Sequence, residues 1–202
     1  MKTLKSRIIV LVTVLWMSVI AMAAASPFSD MPDDHWAADD VSALAEAGFI
    51  HVGSDRMFRG DEKLTRYDLA YMLGALLEKS GNTKSTATYS DIPQSHWAYR
   101  NVSLAASYDL MSGYRDGTFR GDKPMTRFEV ALALSKIFPQ TASQKSAPTF
   151  KDIPSAHWAY PAVETLAANG IAKGYGDGTF RGDKNLTRYE GALIFTIVLS
   201  KL

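Results

Sequence analysis

Three arginines, Arg66, Arg127 and Arg188, recur 61 residues apart, each directly after a threonine and followed by an aromatic residue and an acid. Each stands at the expected first position of a helix, where the macrodipole already presents partial positive charge and a further cation is mildly unfavourable. A threefold misplacement of that kind points to function. An anion at such a helix start would gain from free backbone N–H groups and the guanidinium together, and a planar carboxylate matches the arginine fork. The plainer reading is an ion pair to Asp30, Asp91 or Asp152, acids that repeat in the same register; the two readings are compatible. Trp36, Trp97 and Trp158 keep the spacing too, near the start of another helix, where an indole either packs in the core or offers one face to a sugar. The adjoining His35, His96 and His157 have no second ligand at metal spacing and read as helix-start or packing residues.

Catalytic patterns are missing. The Asp-Gly-Thr-Phe-Arg-Gly-Asp segments lack the alternating acids and terminal glutamate of an EF-hand. The three Arg-Gly-Asp tripeptides, at Arg59, Arg120 and Arg181, belong to a repeated loop rather than to a receptor-binding motif. No Walker loop, nucleophile elbow or isolated acid pair is present, so the sequence predicts a non-enzymatic chain with no cofactor and no metal site. Absence of cysteine excludes disulfides, thiolate metal sites and a lipoprotein anchor.

These residues sit in a chain of 202 with a formal charge of +1. Three of the cations, Lys2, Lys5 and Arg7, fall in the first 25 residues; residues 26–202 carry 19 basic against 21 acidic groups, net −2. That balance argues against nucleic acid as a partner, which would demand a basic excess. The opening segment reads as a secretory signal over 1–25, with a basic start, an apolar run Ile8 to Ala25 and small residues suited to cleavage after Ala23 or Ala25. The competing reading is an uncleaved membrane anchor, the one membrane contact the sequence suggests. Either way the rest of the chain is expected outside the cytoplasm.

Everything after residue 27 is an internal repeat of period 61. Phe28-Ser29-Asp30, Tyr89-Ser90-Asp91 and Phe150-Lys151-Asp152 open three units, and His-Trp-Ala, Phe-Arg-Gly-Asp and Thr-Arg-aromatic-acid follow in unbroken register. The units span 28–79, 89–138 and 150–202, separated by polar linkers at Lys79 to Thr88 and Pro139 to Thr149. Ala37, Val41, Leu44, Ala45 and Gly48 mark an amphipathic helix ending at glycine, as do Ala159, Val163, Leu166, Ala167 and Gly170; in the second unit Asp109 replaces that glycine. A second helix begins at each capping box, Thr65 with Asp68, Thr126 with Glu129 and Thr187 with Glu190, and runs to Leu77, Phe138 and Leu199. The expected fold is all-α, each unit a helix, a tight loop and a helix, with three units packed together because none can bury its apolar face alone.

The order of F/Y-x-D, His-Trp-Ala, Gly-Tyr-x-Asp-Gly-Thr-Phe and Thr-Arg-aromatic-acid resembles the S-layer homology repeat over residues 28–202. The resemblance implies a pseudo-threefold helical bundle that binds peptidoglycan-linked cell-wall polysaccharide, often through pyruvylated sugars, in grooves between repeats. By position it implies ligand-facing aspartates at Asp30, Asp91 and Asp152, tryptophans at Trp36, Trp97 and Trp158, arginines at Arg66, Arg127 and Arg188, and loop glycines at Gly113 and Gly174. The first repeat departs from the pattern at Val52-Gly53-Ser54-Asp55-Arg56-Met57 and loses the usual loop glycines. The family most often has Thr-Arg-Ala-Glu and a proline after Phe-Arg, where this chain has an aromatic and a glycine; that variant resembles envelope proteins of diderm bacteria. The implied location is the cell envelope: periplasm, inner face of the outer membrane or cell surface. The rival reading is a structural or protein-interaction adaptor that binds an envelope protein and no sugar.

Overall fold

The computed structural model describes residues 27–138 and 149–202; the expected signal segment and all but the last residue of the second linker lie outside them. Among the described residues the regular structure is all-α. Six helices occur in order, α1 Ala38–Glu46, α2 Arg66–Lys79, α3 Tyr99–Ser107, α4 Arg127–Ser135, α5 Tyr160–Ala168 and α6 Arg188–Leu199, two to a repeat. No helix among these residues is long and apolar enough to cross a membrane.

Local chemistry sets the helix ends. All three capping boxes close: the Thr65, Thr126 and Thr187 hydroxyls accept from the third backbone N–H of α2, α4 and α6, and the acid at that position accepts from the threonine N–H. Asp68 achieves this despite its shorter side chain, accepting from Thr65 N at 2.8 Å. The first helix of each repeat has no side-chain cap of that type; instead Nδ1 of His35, His96 and His157 accepts from the N–H of Ala37, Ala98 and Ala159 at 3.2–3.3 Å. These helices end in Schellman turns, in which Gly48 and Gly170 take a left-handed φ of 71°. Asp109 takes the same conformation, φ 58°, at the cost expected of an aspartate there. α4 stops at Ser135, short of the expected Phe138; two bonds to carbonyls three residues back carry Ile137 and Phe138 onto the core.

Helix packing runs between repeats. α2 packs on α3, α4 on α5, and α6 returns to α1, so the three repeats form a closed ring instead of three helical hairpins. The axis of the ring is a cycle of backbone hydrogen bonds: Leu64 N donates to Leu186 O, Leu186 N to Met125 O and Met125 N to Leu64 O, at 2.9, 3.2 and 2.9 Å. Their side chains are almost wholly buried, as are Phe58, Phe119 and Phe180. Each repeat therefore supplies one third of a common core, and none can bury its apolar face without the other two.

Two departures from the usual family pattern turn out to be one feature. An added Cβ at Gly60, Gly121 or Gly182 would lie 2.1 Å from ring atoms of Tyr189, Tyr67 or Phe128 respectively. The aromatic that follows each Thr-Arg thus lies flat against the Arg-Gly-Asp glycine of the next repeat. A histidine of that same repeat covers the ring, His96 on Tyr67 and His157 on Phe128 at 4.5 Å, and His35 on Tyr189 at 4.3 Å. The Arg-Gly-Asp segments are consequently packing elements at the repeat boundaries.

Candidate functional site

The three arginines stand where consecutive repeats meet. Arg66 at the start of α2 crosses into repeat 2, where Nε donates to Phe119 O at 2.9 Å and Nη2 to Ser112 O at 2.7 Å. Arg127 repeats the arrangement into repeat 3, with Phe180 O at 2.8 Å and Lys173 O at 3.1 Å. Their guanidinium carbons lie 4.4 and 4.5 Å from the ring centres of Phe119 and Phe180. Arg188 closes the ring into repeat 1, donating to Phe58 O at 2.8 Å, but its second partner is the carboxylate of Asp68.

Two sequence-based readings of these arginines change. The helix-start N–H groups are not free for an anion: N–H of Arg66 and Tyr67 donate to Lys123 O and Gly121 O, Asp68 N to Thr65, and Leu69 N to Thr65 O. The same carbonyls of the next repeat serve α4, and Glu62 O and Gly60 O serve α6. Ion pairs to Asp30, Asp91 and Asp152 do not form either. Those carboxylates fasten the loop of their own repeat, Asp91 accepting from Phe119 N and Arg120 N at 2.8 and 2.7 Å, with Asp30 and Asp152 in the same geometry. Burial pushes these three carboxyls up, but the paired N–H donors outweigh it and hold all three below the ordinary value of 3.8. The donor pair includes Arg59, Arg120 or Arg181, each in a left-handed φ of 54–55°, a strained conformation that the carboxylate holds in place.

Around Arg127 and Arg188 the walls differ. The groove between repeats 2 and 3 opens to about 200 Å³. Its floor is apolar, with Val130, Leu134, Leu166, Ile194 and Ile197, and Arg127, Lys173 and Glu190 line its polar side. The equivalent groove between repeats 3 and 1 retains only about 10 Å³. There Phe195 stands in place of Leu134, Tyr71 in place of Leu193 and His51 in place of Lys173, and His51 stacks on Trp97 with ring centres 4.5 Å apart. Burial, then the positive Arg188 nearby, holds the His51 imidazole below its ordinary value.

The tryptophans are outside the core. Trp36, Trp97 and Trp158 are 61, 41 and 57% exposed, each with one side against the aromatic that follows Thr-Arg in the preceding repeat. Gly113 and Gly174 serve their own repeats: an added Cβ would meet the rings of Tyr89 and Phe150 at 2.2 and 2.5 Å. The first-repeat loop keeps its course without the usual glycine, since Arg56 adopts the left-handed φ, 54°, that Gly117 and Gly178 take in the other repeats.

Sequence reasoning read Tyr114 and Tyr175 only as turn residues. Each ring is surrounded by cations: Arg120, Arg66 and Lys123 at 4.2, 5.2 and 5.8 Å from Tyr114, and Arg181, Arg127 and Lys184 at 4.1, 5.4 and 5.9 Å from Tyr175. Asp116 and Asp177 anchor the outer arginines at 2.6 and 2.8 Å. The Thr118 hydroxyl and Arg120 hold the Asp116 carboxyl at about 2. The available signal was that this tyrosine is present in the two repeats with the full loop and replaced by Gly53 in the first.

The S-layer homology domain family model matches residues 27–70, 88–131 and 149–190. Among curated proteins, the chain is 33% identical over 162 residues to a cellulosome-anchoring protein of Acetivibrio thermocellus, covering 77% of this chain and 36% of that protein. It is 41% identical over 83 residues to outer membrane protein SlpA of Deinococcus radiodurans, covering 40% of this chain and 7% of that protein. Identity to S-layer protein sap of Bacillus anthracis is 26% over 172 residues, 84% of this chain and 21% of that protein. The chain thus spans about a third or less of the length of these relatives. Three matched repeats in one register, closed into a ring by helices shared between them, place this chain in the S-layer homology family.

Proposed function

We propose that this chain is a non-catalytic cell-envelope module that anchors to a peptidoglycan-linked polysaccharide bearing carboxylates, such as pyruvyl ketals, through the grooves between its repeats. The observation that carries the reading is the state of Arg66 and Arg127. Each is fixed by two carbonyl oxygens and an aromatic face, with no carboxylate of the described chain in ion-pair range. Carbonyls orient a guanidinium without cancelling its charge, so it is preorganised for an anion. Burial holds the Arg66 guanidinium below its ordinary value, and an arginine side chain remains a cation at neutral pH.

In this reading the exposed Trp36, Trp97 and Trp158 offer an indole face to sugar rings. Asp30, Asp91 and Asp152, engaged by the loop through one lone pair on each oxygen, keep others for sugar hydroxyls. Gly113 and Gly174 shape the loop that meets the ligand. Relatives named for S-layers and cellulosome anchoring support an exported, wall-facing location.

Co-sedimentation of residues 26–202 with purified sacculi tests this, before and after chemical stripping of the attached polymer. Binding lost on stripping is the expected result. No binding to intact sacculi of the source organism would reject anchoring and turn attention to an envelope protein as the groove's occupant.

A further inference from the structure

Arg188 lies in the same place as Arg66 and Arg127 but in a different electrostatic state. In repeats 2 and 3 the capping acid divides its work: one oxygen of Glu129 or Glu190 accepts from the threonine N–H at 2.8 Å, and the other pairs with Lys123 or Lys184 of its own repeat at 3.1 or 3.3 Å. Repeat 1 has Glu62 where those lysines stand. Its capping acid, Asp68, still closes the box through one oxygen, but no lysine comes to the other. That oxygen pairs instead with Arg188, and both side chains are nearly enclosed, at 19 and 10% exposure, against 48 and 31% for Lys123 and Glu129. Gly53 replaces the tyrosine that flanks the other two arginines, and the groove is reduced to about 10 Å³.

We propose that Asp68 is a built-in anion that occupies Arg188 from inside the protein, so that the chain offers two anion-binding grooves and not three. This inference rests on the anchoring reading above for the nature of the ligand. A carboxylate arriving from solvent would have to displace an enclosed partner already bonded to Arg188, and it would meet Glu62 in place of a lysine.

Titration calorimetry with a soluble glycoside carrying a pyruvyl ketal is expected to give two equivalents for the parent chain. Asp68→Asn keeps an oxygen for Thr65 N and removes the charge, and should raise the count to three. A second variant, Glu62→Lys with Asp68→Glu, rebuilds the pairing of repeats 2 and 3 and should do the same if Asp68→Asn folds poorly. In parallel, modification by phenylglyoxal, mapped by mass spectrometry, should be slower at Arg188 than at Arg66 and Arg127, and Asp68→Asn should bring it to their rate. Three equivalents in the parent, or two in both variants, would overturn the inference and leave anchoring intact. No binding by the parent would count against anchoring, and the modification rates alone would then decide the role of Asp68.

Discussion

Replacing Arg127 by alanine separates its bracing role from its proposed binding role, provided that the cost to folding is known in advance. The guanidinium makes a part-buried bond to Phe180 O, a more exposed bond to Lys173 O, and a face contact with Phe180 at 4.5 Å. A hydrogen bond from a charged donor contributes about 1.5–3 kcal/mol, with the lower figure fitting a half-open site, and an exposed cation–π contact about 0.5–1 kcal/mol. With the second bond discounted for solvent, Arg127→Ala should lose about 2–3 kcal/mol, or about 4–12 °C in melting temperature for a domain of this size. Arg127→Lys keeps the charge but lacks the fork, and should fall between parent and alanine variant. Melting by circular dichroism gives the stability, and sacculus binding is then compared well below the lowest melting temperature. An alanine variant that melts within about 1 °C of the parent would refute the brace, since bonds spanning two repeats would then contribute nothing. Unchanged sacculus binding by the folded alanine variant would refute the assignment of Arg127 as an anion site.

Gly74 faces the backbone of α3, and an added Cβ would lie 2.4 Å from Asn101 Cα. Gly74→Ala gains about 1 kcal/mol of helix propensity yet should still lower the urea midpoint, with a net loss of about 1–2 kcal/mol; an unchanged midpoint would mean that α2 and α3 separate freely. Asp40 occupies the corresponding position on α1 against α6, where burial pushes its carboxyl above 3.8, partly opposed by Thr196. A folded value raised above the unfolded one penalises the fold at neutral pH and ceases to do so as pH falls to 3.8. Asp40→Asn should therefore raise the melting temperature at pH 7 and lose that advantage as pH falls below 3.8; a gain that persists in acid would exclude the carboxylate as its source. Asp91 has the opposite sign, its folded value lying below 3.8, so its contribution is present above that pH and fades below it. Asp91→Asn should melt lower than the parent at pH 6, with the gap narrowing as pH falls below 3.8; a constant gap would mean that loop anchoring does not depend on ionisation.

The repeat, the six helices and their ends, the C-terminus of α4 excepted, were legible in the sequence because they depend on neighbours within a few residues. A threonine three positions before an acid closes a capping box wherever it stands, and a glycine at residue 48 or 170 permits the left-handed turn that ends a helix. The positions that the family resemblance implies to be ligand-facing could be marked by register alone. What the tertiary structure decided is which repeat each of these residues serves. Arg66, Arg127 and Arg188 bond to carbonyls 46–130 residues away, and the first two N–H groups of each helix start expected to await an anion are taken by the next repeat. The inequality of the grooves arises in the same way. Asp68 and Arg188 are 120 residues apart, and only closure of the ring, α6 on α1, puts an acid of the first repeat against an arginine of the third. Periodicity describes one repeat at a time, whereas the charge in a groove is set by two of them, and by substitutions such as Glu62 and Gly53 that gain meaning only from the partner across the boundary.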